Sequence, residues 1–285
     1  LLYWIPYHTD FAKFTDTRNR GREVGLLLAS IEFLGALGPV IAGYVLDIFN
    51  FKTLFIIATI LYAFMIIPIL KIPRTNEQFS WSYIETWRAF FSKERRGAMV
   101  ALGAIGAENT IAVVIWPIFI FQILQGNYLQ IGALSTIIVG VTIALQLGLG
   151  KFIDFGTLTK EKTLRAGSVF YAIGWIVKIF VATAFQIFLV GFYHGFTKIL
   201  TMTPFDTLVY QIAADEGHYV DEFTVLREMA IHTGRVLALI TILGFLLFLS
   251  IEWTFVIAAT ASLLLNTIYL ARKPEVREQL MHRQV

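Results

Sequence analysis

The stretch "ASIEFLGALGPVIAGYVLD", residues 29–47, sets small and apolar side chains around one glutamate, one proline and three glycines. Its apolar character runs all round the helix rather than along one stripe, which is the pattern of a buried or membrane-embedded segment. In a bilayer, dispersion and weak polar contacts hold helices together, and small residues let backbones approach closely. Gly35, Gly38, Ala42 and Gly43 fall within about two turns, and Pro39 removes a backbone donor and favours a bend. The expected element is a bent transmembrane helix with a close-packed seam. Glu32 stands about two turns into it, and an ionisable side chain at such a place is costly unless it has a partner or a wet cavity. Two readings of Glu32 stay open: a proton-titrating or gating carboxylate, or a salt bridge to a loop arginine near the headgroups.

The rest of the chain follows the same pattern. Of 285 residues, 57% are hydrophobic and 15% charged, against roughly half and a quarter in soluble domains. Apolar runs recur at 24–46, 53–70, 97–124, 129–150, 165–184, 186–212, 225–250 and 252–271. Each approaches or exceeds the roughly 18 to 20 residues that span hydrocarbon, so an all-α polytopic membrane protein is expected. If the segment before the first run is cytoplasmic, Lys13, Arg18, Arg20 and Arg22 lie inside. The 71–96 segment, the basic 151–165 segment and the C-terminal tail join them, and the outer loops keep only Lys52. That asymmetry obeys the positive-inside rule and points to the cell membrane with a cytoplasmic C-terminus. Cysteine is absent, which excludes a disulfide framework or thiolate metal site, and a net charge of +3 needs no nucleic acid to explain it.

A faint internal repeat adds architecture. Residues 31–40 lie over 227–236 with Glu32 on Glu228, Gly38 on Gly234 and Val40 on Val236, and residues 53–58 lie over 253–258 with Phe55 on Phe255 and Ala58 on Ala258. The spacing predicts six helices per half, with about three and a half absent from the first. "GALGPVIAG" (35–43) resembles the fifth-helix signature of the major facilitator superfamily (MFS). "RNRGREVG" (18–25) resembles the basic turn before that helix, "GKFIDFGTLTKEKTLRAG" (150–167) the loop joining helices eight and nine, and "REMAIHTGR" (227–235) the start of helix eleven. The usual Asp-Arg pair of that loop is here Asp154-Phe155. The resemblance implies an MFS-type bundle running from the end of helix four through helix twelve. Residues 1–70 would be the remnant of the N-terminal half, 71–96 a cytoplasmic linker, and 97–285 the C-terminal six-helix half. It also implies that the Gly35, Gly38, Pro39 and Gly43 seam seals the two halves, as in antiporters of the family.

Polar residues inside the spans are the candidates for function. Glu108 and Asn109 lie about 11 residues into the 97–124 run, followed by Trp116-Pro117, where a kink is expected. His194 and Lys198, four apart, lie near the middle of the 186–212 run. Mid-membrane lysine cannot easily snorkel, so it should face a cavity or a carboxylate; the resemblance implies that the 97–124 and 186–212 helices line a central cavity, which makes a Glu108–Lys198 pair across it, handling substrate or proton, the leading expectation. Glu228, His232 and Arg235 share one helical face at i, i+4 and i+7 and suit an ion-pair latch, with Glu32 and Asp154 as further gating candidates. His232 has a second reading, a merely hydrogen-bonded histidine. Lys178 lies near the outer end of its run and is expected to snorkel. "SWSYIETWRAFFSKERR" (80–96) places Trp81, Ile84, Trp87 and Phe91 on one stripe, which suits a helix lying at the inner membrane surface.

Enzyme signatures for zinc proteases, nucleophile elbows and phosphate-binding loops are missing. The expectation is a secondary active transporter of a small solute, proton-coupled, with no cofactor and no enzymatic activity. The alternative is a membrane enzyme acting on a lipid-linked substrate, for which Asp215, Glu216, Asp221 and Glu222 with His218 are the nearest acidic cluster.

Overall fold

The computed structural model describes residues 20–72, 79–153, 160–215 and 220–271, and every regular element among them is helical. In chain order these are α1 (Arg20–Ile48), α2 (Phe51–Ile69), the short α3 (Tyr83–Phe90), α4 (Arg96–Thr110), α5 (Trp116–Ile123), α6 (Tyr128–Ile153), α7 (Lys160–Lys178), α8 (Ala184–Asp215), α9 (Val220–Leu246) and α10 (Phe255–Leu264). A π-helical turn, Ile111–Ile115, joins α4 to α5, and 3₁₀ turns Ile251–Thr254 and Leu265–Ala271 extend α10 at either end.

Long helical rods therefore stand where the eight apolar runs were expected. Four of them, Phe51–Ile69, Arg96–Ile123, Asp221–Leu246 and Ile251–Tyr269, are long and apolar enough to cross a membrane, which makes this a membrane protein by helix length and hydropathy. Shorter apolar helical stretches cover Phe33–Ile48 and Tyr128–Ala144. In α7 and α8 the hydropathy is diluted by polar residues: Lys160, Glu161 and Lys162 open α7, while His194, Lys198 and Asp206 sit along α8.

The rods pack in a definite order. α4 lies on α9 and α10, α10 on α7, α7 on α8, α8 on α6, and α6 on α1, which carries α2 at its far side. Close approach through glycine sets several of these crossings. A Cβ on Gly106 would run into the Ile231 carbonyl, and one on Gly234 would run into that of Gly103. Between α7 and α8 a Cβ on Gly167 would stand 2.9 Å from the Leu200 carbonyl oxygen. Between α1 and α6 one on Gly43 would stand 2.7 Å from the Tyr128 oxygen, and Gly132 faces the Pro39 carbonyl in the same way. Gly35 and Gly38 have open space where a Cβ would be. The seam expected of residues 35–43 is thus carried by Gly43 and the backbone of Pro39.

Two apolar layers fill the bundle of α4 to α10. One joins Leu102, Leu164, Phe205, Leu226 and Leu265, from the starts of α4, α7 and α9 and the later parts of α8 and α10. The other joins Ile115, Trp175, Ile187, Ile242 and Phe255 from the opposite ends. The rod of α4 and α5 and the helices α7, α8, α9 and α10 cross both layers, while among the described residues α6 meets only the second, through Ile131, Leu134 and Ile138. The kink expected at Trp116-Pro117 takes the form of the π turn: the Trp116 N–H donates to the Ile111 carbonyl five residues back, and Pro117, which has no N–H to give, follows in the first turn of α5.

Candidate functional site

Glu108 is 4% exposed and lies between Ala104 of the first layer and Ile111 of the second. It stands 12 residues beyond Arg96, about 18 Å along α4. At this depth a carboxylate needs partners, and α7 supplies them. Tyr171, Trp175 and Lys178 recur at i, i+4 and i+7 and so share the α7 face turned inward. The Tyr171 hydroxyl donates to Glu108 Oε1 at 2.6 Å. Lys178 is 2% exposed, its ammonium 3.6 Å from the centre of the Trp175 ring and 4.4 Å from that of Trp116. From α8, His194 packs against Tyr171 at 4.5 Å and against Trp175 at 4.7 Å between ring centres, and its Nδ1 is buried without a hydrogen-bond partner. Phe255 of α10 closes the aromatic wall, 5.7 Å from Trp116 and 5.9 Å from Trp175.

Three helices thus bring a carboxylate, a phenol, an imidazole and an ammonium into one dry cluster. Two of the candidates, Glu108 and His194, are in it. Lys198 is exposed and makes no ion pair with Glu108. Asn109 is half-buried, about 100° round α4 from Glu108. Lys178, expected to snorkel, instead points inward. The reason is geometric: a helical Cα–Cβ bond tilts toward the helix N-terminus, so a lysine at the C-terminal end of a rod is aimed back along it. The i, i+4, i+7 spacing of Tyr171, Trp175 and Lys178 was the sequence signal for this face.

The proposed latch residues form a second, smaller group. Arg227 donates to Glu228 Oε1 at 2.7 Å, and His232 Nε2 stands 3.7 Å from Glu228 Oε2. Glu228 is buried. Arg235 makes neither contact. The Glu32 side chain and Asp154 lie outside the described residues, as do Glu216 and His218 of the acidic loop. Glu222, from that loop's far end, is committed to structure: the Ser80 N–H and hydroxyl both donate to its Oε1, at 2.9 and 2.6 Å. No three metal-ligating side chains come together among the described residues. Gln186 caps α8, accepting from the backbone of Ala182 and Thr183.

The sequence matches no family model and no curated protein.

Proposed function

We propose that the protein is a secondary active transporter of the major facilitator type, residing in the cell membrane with its C-terminus cytoplasmic and moving a small solute by alternating access coupled to protons. The observation that carries this reading is the Glu108 cluster. A charged, hydrogen-bonded group at mid-depth in a membrane bundle is expensive and marks ion or substrate pathways. Here a carboxylate already accepts a hydrogen bond from the Tyr171 hydroxyl, and an imidazole with a free buried nitrogen stands against that same phenol ring, so protons have places to be held and passed. The α1–α6 crossing adds support, because it joins the 35–43 stretch to the bundle through Gly43, Gly132 and Pro39, where a seam between two halves is implied. Glu228 with Arg227 and His232 would bias one closed state over the other, and the 35–43 likeness favours antiport.

The test is solute-dependent proton flux in proteoliposomes carrying a lumenal pH dye, run over a panel of amines, sugars, carboxylates and amphipathic drugs. A solute should drive dye change with the natural chain and not with Glu108→Gln, which keeps the shape and hydrogen-bonding of the side chain but not its charge. Equal flux from both, or solute movement with no proton movement in either, would remove Glu108 from the coupling role.

A further inference from the structure

The segment from Phe79 to Arg96 holds a surface that the transport reading does not use. Its helix α3 has three faces. Thr86, Ala89 and Phe90 turn toward the protein, with Ala89 and Phe90 packed on the first apolar layer. Tyr83, Ile84 and Phe91 turn outward, 79%, 68% and 70% exposed, with Trp87 beside them. Glu85 and Arg88 occupy the remaining face. The helix is held firmly: Ser82 and Glu85 form a reciprocal capping box, and the Ser80–Glu222 bonds tie its approach to the first turn of α9. Between α3 and α9 runs an apolar groove of about 460 Å3, lined by Phe79, Tyr83, Thr86, Trp87, Val225 and Met229. Residues 79–96 carry Arg88, Lys93, Arg95 and Arg96 against Glu85 and Glu94. Arg95 lies over the Trp81 ring at 5.4 Å, while Arg88 and Lys93 are exposed.

We propose that this groove binds an anionic phospholipid, one acyl chain lying between α3 and α9 and the phosphate held by Arg88 and Lys93. The occupant follows from place and charge. α9 is a membrane-span-length helix, and the groove lies along its first turns, where the span meets the polar region. Tyrosine and tryptophan gather at that level, and an amphipathic helix with an aromatic face, followed directly by a basic stretch, binds anionic lipid in preference to neutral lipid. A rigid aromatic wall on one side and a transmembrane helix on the other make a slot for a chain entering from the bilayer. The basic excess sets the sign of the headgroup. This inference is independent of what the bundle transports.

The test is retention of lipid by the whole 285-residue chain, extracted from nanodiscs of equal parts phosphatidylglycerol and phosphatidylcholine and weighed by native mass spectrometry. Phosphatidylglycerol should be retained in excess. The Arg88→Gln and Lys93→Gln variants should each lower that excess by about five-fold, and raised salt should do the same to the natural chain. Val225→Trp, which fills the groove, should lose the retained lipid of either kind; Tyr83→Asp on the exposed lip, which gives up only the edge contact with Trp87, should weaken it as well. Unchanged preference in both charge variants, or retention unchanged in both groove variants, would overturn the proposal.

Discussion

Lys178 and Glu108 show what a single buried charge demands of its neighbours. Neither reaches water: one ammonium lies on two indole faces, and one carboxylate accepts a phenol proton. Cation–π contacts of this desolvated kind are worth about 2 kcal/mol, well short of the several kcal/mol lost when a charge leaves water. Attraction between two opposite charges in one cluster would offset part of that loss. Removing one member should cost about 3–5 kcal/mol, whereas removing both should cost far less. Thermal unfolding in detergent checks this: Glu108→Gln should melt well below the natural chain, and Glu108→Gln with Lys178→Met should recover most of the loss. If the two losses simply add, the residues do not act as a pair. The sequence revealed Glu108 and His194, because an ionisable group in an apolar run stands out. It concealed their partners, because direction is a property of the helix rather than of the residue type, and Lys178 could be read as surfacing only while the tilt of its Cβ was left out.

At the scale of elements, glycine divides into two kinds that composition does not distinguish. Gly106 and Gly234 lie where α4 and α9 touch backbone to backbone, and Gly35 and Gly38 face open space. Alanine at Gly106 or Gly234 should force the rods apart and lower stability by about 1–3 kcal/mol, while alanine at Gly35 or Gly38 should be neutral or raise it by about 0.5–1 kcal/mol through helix propensity alone. Melting temperatures of the four single variants distinguish these outcomes. The motif 35–43 was legible as helical and as small, yet which of its glycines meet another rod depended on the rotation of α1 against α6. The short α3 was legible too, from the stripe of Ile84, Trp87 and Phe91, while its start at the Ser82 and Glu85 capping box was not read. There the Ser82 N–H, and after it the Ser82 hydroxyl, hold the Glu85 carboxyl below the usual carboxylate range. The folded helix binds that proton more weakly than the unfolded chain does, so the cap contributes above the unfolded value and is lost as pH falls through the depressed one. A carbon-13 NMR titration of Glu85 in the full chain should give a pKa below that of a free glutamate, rising toward it in Ser82→Ala.

The whole molecule is a row of rods in which each holds the next, from α4, α9 and α10 through α7, α8 and α6 to α1. Among the described residues the positions of its long helices were legible from hydropathy, four of them being long and apolar enough to cross a membrane, because length and apolarity are summed over about twenty residues and tolerate local exceptions. Their order of contact was not, since it depends on which faces carry the glycines and the buried charges. Sidedness can be measured directly because the chain has no cysteine. Single substitutions Lys93→Cys and Lys162→Cys should react with a membrane-impermeant maleimide from one side of sealed vesicles, and Lys52→Cys and Glu252→Cys from the other. Labelling of all four from a single side would end the alternating topology.

The π turn at Ile111–Ile115 holds one residue more than an α-helical turn would, and about 100° of rotation goes with each residue. Below it, α4 must keep Gly103 and Gly106 against α9; above it, α5 must keep Trp116 and Phe119 against Phe255. The turn therefore works as a vernier, letting one rod be in phase with two different neighbours at once. It sits one helical turn from Glu108, so a slip of that single extra residue along the rod would turn the indole of Trp116 relative to the carboxylate while both ends of the helix stayed where they are.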